Sequence, residues 1–337
     1  MNFPTNITID EFQQIEKYLE SIILKYFHDT SSKVPTKEQD KKCIQNYKPI
    51  LFEYSVGKVT STILDLTFYS ADTFKRTKHF VKWNGSIGNP QKAKGMDIIA
   101  KARGYTAIID VTLNSRTEPQ ISRELGSFSA HLKKAIHKDK QKFVIGIFVA
   151  PKITDRLWEL FKIDMDAVVV LMDVANIAKI YSITQFGIPV QHARLLRLFN
   201  NLSFRLKSSN SRGEYMSSLN DVTKSFIRDF LKSEHYLFLS KKAYLTFLGN
   251  NTKTLSLGEI TNDLKKDPLI KNLIKLIDPK IIREDKIRYW LKGNLTKALN
   301  EFTLVIENEI TMDGELIYFK PECEDSKCVA RVIDSIC

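Results

Sequence analysis

The chain has 337 residues, and 51 Lys and Arg against 39 Asp and Glu leave a formal net charge of +12. That length suits more than one domain and fewer than three, and 43% hydrophobic with 27% charged residues is a globular balance that allows a sizeable core. No run approaches the roughly 18 uncharged apolar residues of a transmembrane helix, and no basic segment followed by an apolar run opens the chain, so neither a membrane span nor a secretion signal is expected and the cytoplasm is the expected location.

The basic excess favours a polyanionic partner, nucleic acid first, without identifying one. No helix sets a basic face opposite a Trp/Phe/Leu face, which argues against a membrane surface. The cysteines, Cys43, Cys323, Cys328 and Cys337, are expected to be reduced thiols. Cys323 and Cys328 have no partner pair to complete a zinc site.

Residues 8–28 read as one amphipathic helix, with Phe12, Ile15, Leu19, Ile22, Ile23 and Phe27 at spacings of three and four. Thr8 and Asp10 are candidate caps. Residues 29–42 are polar and read as a loop. Residues 49–69 read as a second helix opening at Pro49, a residue suited to a first turn. Its apolar stripe is Phe52, Val56, Val59 and Ile63, and Glu53 lies off that stripe. Residues 81–95, VKWNGSIGNPQKAKG, read as an exposed basic loop.

The pattern then changes. Residues 96–100, 106–113, 143–149 and 168–174 are short β-rich apolar runs. A helical segment, 120–137, separates the second from the third, and 151–163 and 175–182 read as covering helices. Strand, turn, strand, helix, strand describes a mixed α/β sheet flanked by helices. From about residue 200 the chain reads as helical, over 215–249, 256–277 and 285–302. The last stretch alternates apolar and polar residues around Asp313-Gly314, a hairpin signal. Helices before a hairpin suggest a winged-helix-like module, with a helix in the major groove. The expected division is an N-terminal helical segment (1–45), an α/β domain (46–200) and a mainly helical C-terminal domain (201–337) for DNA recognition or partner binding.

Residues 95–132 carry the chemistry. Asp97 opens one strand, and Asp110 follows the apolar run Ala107, Ile108, Ile109. Burying a carboxylate there is costly unless a cation or donors compensate. Two carboxylates on paired strands can hold Mg²⁺, which prefers carboxylate, carbonyl and water oxygens. On the following helix Glu124 and His131 are two turns apart with Ser127 between them, opposite the stripe Leu125, Phe128, Leu132 and Ile136. Taken alone, an Asp pair at this spacing is common, and a Glu/His helix face is more often solvated surface. Metal-dependent phosphodiester cleavage is one reading of these residues among several.

Read together, the segments resemble the AlwI-type branch of the PD-(D/E)XK restriction and nicking endonucleases. PILFEY (49–54) is similar to the family's opening helix, with Glu53 in place of its early glutamate. GMDII (95–99) resembles the first metal-binding strand, and IDVTL (109–113) the E-V-T-L segment, Thr112 standing where classical members have lysine. Glu124 to His131 resembles the E-x6-H helix. FVIGIFVAPKI (143–153) and Met172-Asp173-Val174 resemble later core elements. The resemblance covers roughly 46–190. Asp110 replaces the more usual glutamate, and no basic pair precedes His131.

The resemblance implies that Asp97 and Asp110 bind Mg²⁺ (Mn²⁺ substituting), with the Val111 carbonyl as a further ligand. It implies that Glu53 supports the metal or its water, and that Glu124 and His131 complete the site. Lys92, Lys94, Lys101 and Arg103 flank it and could reach phosphates, or remain solvated loop charges. The implied activity is that of a type IIS-like restriction endonuclease, or its cleaving or nicking subunit, acting on double-stranded DNA as a homodimer or with a second subunit. The alternatives are a phage, mobile-element or repair nuclease, and a non-catalytic DNA-binding protein of the same fold.

Overall fold

The computed structural model describes residues 3–75, 77–86, 96–113, 118–138, 143–162, 167–250, 254–281, 283–301, 310–311 and 314–318. Its contacts divide the chain into two compact units, Met1–Thr184 with Pro189–Lys224, and Gln185–Ile188 with Ser225–Cys337. Among the described residues no helix is long and apolar enough to cross a membrane.

The first unit opens with two helices where one is expected, α1 (Ile9–Gln13) and α2 (Ile15–Thr30). Gln14 leaves helical geometry between them (φ −105°, ψ 33°). Phe12, Ile15, Leu19 and Ile23 are buried on both sides of the break, so the periodicity runs through it. The next helix, α3 (Lys37–Leu64), begins well before Pro49. Its start is a capping box. The Gln39 N–H donates to Thr36 Oγ1 (3.3 Å), and Gln39 Oε1 accepts from the Thr36 N–H (2.9 Å). Pro49 therefore sits inside α3, where it removes one N–H from the ladder. The helix stops at Asp65, whose backbone is left-handed (φ 50°), and residues 68–69 turn into a strand.

A six-stranded sheet follows: β1 (Phe68–Tyr69), β2 (Phe80–Trp83), β3 (Ile98–Lys101), β4 (Tyr105–Val111), β5 (Phe143–Ala150) and β6 (Val168–Asp173), in that spatial order. The β2–β3 and β3–β4 pairs are antiparallel, and the other pairs are parallel. Strand β2 occupies the front of the expected basic loop. Trp83 is fully buried and its ring lies 5.4 Å from that of Tyr54, so this part is core. Residues 87–95, the rest of that loop, lie outside the described residues.

Every β4 residue from Tyr105 to Asp110 is buried, as expected of a central strand covered on both faces. Tyr105, Ala107 and Ile109 share a cavity of about 50 Å³ with α3, α6 (Val174–Tyr181) and α7 (His192–Ser208). The opposite face, carrying Asp110, meets α4 (Glu118–Lys138). Helix α5 (Asp155–Lys162) packs beside α4. Gly146 lets α4 approach β5, since a Cβ there would lie 2.7 Å from Phe128 Cζ and 3.1 Å from Leu132 Cδ2.

The boundary between the units falls within α8 (Arg212–Asn250). The second unit continues with β7 (Thr254–Ser256), α9 (Leu257–Leu264), α10 (Pro268–Ile277), α11 (Glu284–Glu301), β8 (Ile310–Thr311) and β9 (Gly314–Tyr318). The helix expected over 256–277 is two, because Asp267 caps a new start and Pro268 takes its first position. The expected hairpin is present as an antiparallel β8–β9 pair with Thr311 opposite Gly314. Strand β7 joins it, giving the order β7-β9-β8. Cys323, Cys328 and Cys337 lie outside the described residues.

Candidate active site

The β3–β4 register pairs Ile98 with Ile109, which brings Asp97 and Asp110 together one step further on. Each carboxylate accepts a backbone N–H from the other strand. Val111 N donates to Asp97 Oδ2 (2.8 Å), and Asp97 N donates to Asp110 Oδ1 (3.3 Å). The two side chains are thus oriented by the ladder itself. Asp110 is only 8% exposed, so it lies largely out of water, where a carboxylate needs donors or a cation beside it.

The pair opens into a cavity of about 160 Å³, lined by Glu53, Asp97, Asp110, Val111, Thr112 and Ser127 together with apolar side chains. Glu53 comes from α3, and its Oε2 accepts from Trp83 Nε1 at 3.3 Å. Helix α4 supplies Ser127 and His131 one turn apart. His131 Nδ1 lies 3.6 Å from Asp110 Oδ2, an ion-pair distance that is too long for a hydrogen bond. Among the described residues, neither buried His131 Nδ1 nor buried Thr112 Oγ1 has a hydrogen-bond partner. The Thr112 backbone meanwhile continues the ladder, its N–H donating to Val149 O at 2.9 Å. Buried polar atoms are normally satisfied, so two orphans beside a carboxylate pair mark a place suited to a polar ligand.

Other expected residues fall elsewhere. Glu124 is on α4, seven residues before His131, and its side chain lies outside the described residues, as do Lys92 and Lys94. Lys101 pairs with Thr106 at the other end of the β3–β4 hairpin. At about 3.3 Å per strand residue that is about 13 Å from Asp97. Arg103 is in the turn beyond, where its N–H donates to His192 Nδ1 (3.1 Å). The structure does not bring Lys101 or Arg103 to the carboxylates. Sequence reasoning gave no role to Trp83, whose contact with Glu53 depends on a strand it did not find. It placed Thr112 only by resemblance.

Among the described residues no three His, Cys, Asp or Glu side chains cluster closely enough to hold a metal ion by themselves. Mg²⁺ needs fewer, because one or two carboxylates with water and substrate oxygens suffice. Asp97 and Asp110 offer hard carboxylate oxygens of the kind such an ion takes, and Val111 lines the same cavity.

The chain matches a family model described as AlwI restriction endonuclease over residues 2–193. No match is found among curated proteins. Among solved structures it is similar to the small subunit (R.BspD6I2) of the heterodimeric restriction endonuclease R.BspD6I, at 15% identity and a TM-score of 0.42 over 63% of this chain and 97% of that one. The family model spans more than half of the sequence and all of the residues that build the carboxylate cavity, and the chain therefore belongs to the AlwI restriction endonuclease family.

Proposed function

We propose that the chain is a Mg²⁺-dependent endonuclease of PD-(D/E)XK type that hydrolyses phosphodiester bonds in double-stranded DNA, with its centre at Asp97 and Asp110. The observation that carries this reading is the reciprocal pair, two carboxylates each oriented by the other strand's N–H at the mouth of a polar cavity.

A bound Mg²⁺ would supply the charge that acidifies an attacking water and offsets negative charge on the leaving oxygen. The chain's own residues prepare for it. Val111 N–H and Asp97 N–H hold the two carboxylates in place, so little reorganisation is needed when a cation and a phosphate arrive. Thr112 Oγ1 can donate to a phosphate oxygen, and His131 Nδ1 stands beside Asp110 to bind or exchange a proton with the same group. Glu53, tethered by Trp83, supports the water or the cation. Glu124 is assigned beside His131 on α4. Lys92 and Lys94 are assigned to phosphates near the cut, whereas any phosphate met by Lys101 or Arg103 lies at the far end of the hairpin.

One such centre cuts one strand. A double-strand break then requires a second copy of the chain or a second subunit. The second unit, with its helices and terminal sheet, is read as a winged-helix-like DNA-recognition module. The place of action is the cytoplasm.

Supercoiled plasmid, incubated with the chain in Mg²⁺ and in EDTA, tests the proposal. Nicked or linear products that require Mg²⁺ and vanish in Asp97→Ala and Asp110→Ala support it. Cleavage that survives EDTA, or survives both substitutions, removes it.

A further inference from the structure

Helix α11 has two unlike faces. Ile287, Leu291, Leu295 and Ala298 are buried, at spacings of four, four and three, and α11 packs on α9. Two side chains of α8 fix it further. His235 Nε2 lies 3.1 Å from Asn294 Oδ1, and Ser240 Oγ donates to Ala298 O (2.9 Å). The other face holds Lys286, Tyr289, Gly293 and Lys297, again at helical spacing, and lines a groove of about 660 Å³ with Trp290 and Asn294.

That face is not an ordinary solvated surface. Tyr289 is 85% exposed, a large aromatic ring left outside on a rigid helix. From Lys286 to Lys297 the sequence has four basic residues and no acidic one. Asp285, at the rim of the groove, lies 4.0 Å from Arg283 Nε. At Gly293 a Cβ would meet nothing within 4 Å, so a ligand can approach the helix backbone there. Strand β7, α9 and α10 precede α11, and the paired strands β8 and β9 follow it. Helix-turn-helix modules lay their second helix in the major groove from this kind of position.

We infer that the Lys286–Tyr289–Gly293–Lys297 face of α11 is the surface through which the second unit binds duplex DNA. The lysines contact phosphates, and Tyr289 packs against sugar or base edges. The inference rests on the reading of DNA as the substrate, and it adds which surface holds that substrate outside the cleavage centre. Basic charge favours DNA over a second copy of the same face, since two copies would set like charges together.

Binding of a fluorescently labelled random-sequence duplex to the full-length chain is followed by anisotropy in EDTA across a salt series. Asp110 is intact throughout, EDTA preventing cleavage during the binding series, and cleavage by the same variants is read separately in Mg²⁺. Lys286→Ala with Lys297→Ala is expected to reduce the slope of log K against log salt by about 1.8, the release expected for two phosphates. Tyr289→Ala is expected to weaken binding about equally at every salt concentration. Lys286→Arg with Lys297→Arg is expected to restore the slope. The exposed pair Lys25→Ala with Lys33→Ala in the first unit makes the same change in net charge and serves as the control. If the α11 variants match that control, the inference is wrong. It is equally wrong if they change the mass of the free protein by light scattering and leave DNA binding intact, because the face is then a self-association surface. Mg²⁺-dependent cleavage with unaltered binding in the α11 variants removes this inference alone. Weakened binding in those variants, with no cleavage by any chain, removes the nuclease reading and leaves the surface assigned.

Discussion

Two glycine-to-alanine substitutions, made near the same helix, should act with opposite signs. At Gly146 on β5, an added methyl would lie 2.7 Å from Phe128 Cζ and 3.1 Å from Leu132 Cδ2. Phe128 cannot swing aside easily, because it is fully buried and its ring lies 5.7 Å from each of the Phe148 and Phe161 rings. Overpacking of this kind costs about 1–3 kcal/mol, against a gain of about 0.4–1 kcal/mol from the stiffer unfolded chain. The net loss is then about 1–2 kcal/mol, or about 2–8 °C in Tm for a unit of this size. At Gly126, exposed on α4, a Cβ meets nothing within 4 Å. Alanine there should stabilise by about 0.5–1 kcal/mol. Relief of the Gly146 clash also shifts α4, which carries Ser127 into the cavity and His131 beside Asp110. Gly146→Ala should therefore lose cleavage rate as well as stability, and Gly126→Ala should keep both. Thermal and urea unfolding of the two variants, followed by circular dichroism, measures the difference. A Gly146→Ala midpoint equal to that of the wild type would refute the packing argument.

Three further outcomes follow from particular contacts. With a cation held by Asp97 and Asp110 as proposed, His131→Ala should lower cleavage by about 10–100-fold, the usual cost of losing a group that supports a metal ligand, in single-turnover kinetics at saturating Mg²⁺. A rate unchanged within error would separate His131 from the site. Thr36→Ala removes half of the α3 capping box and should cost about 1 kcal/mol in urea unfolding, whereas a helix truly starting at Pro49 would not notice it. The third concerns Asp267. Burial raises its carboxyl, but the Lys242 ammonium and the N–H groups of Leu269 and Ile270 together outweigh that and hold it below the ordinary carboxylate value. A lowered folded-state pKa gives stability that is present above the unfolded value and lost as pH falls through the folded one. Acidification below about pH 4 should thus destabilise the second unit in wild type, and Asp267→Asn should flatten that dependence in pH-dependent unfolding.

The strands and the carboxylates were legible in the sequence for one reason: an alternation or apolar run that ends in an Asp is a local pattern. In the structure Asp97 lies opposite Asp110 across β3 and β4, Ser127 lines the same cavity, and His131 Nδ1 lies 3.6 Å from Asp110 Oδ2. The helix starts were harder. Pro49 suggests a beginning, yet the start is set by Thr36 and Gln39 in a stretch polar enough to pass for a loop. Strand β2 was hidden in a segment rich in turn formers, and only its place beside β3 buries Trp83 and delivers the Glu53 contact. Helix α7 escaped notice, although Leu195, Leu198, Phe199 and Leu202 carry its apolar stripe. Lys101 and Arg103 looked close to Asp97 in sequence, but an extended strand carries them away from it.

The most direct test compares wild type with Asp110→Asn, which keeps the shape of the side chain and removes its charge. Single-turnover cleavage of a plasmid in Mg²⁺ and binding of the same DNA in EDTA are measured on both. The account predicts that cleavage falls by orders of magnitude while DNA affinity is retained. Wild-type cleavage by the Asn variant would contradict it.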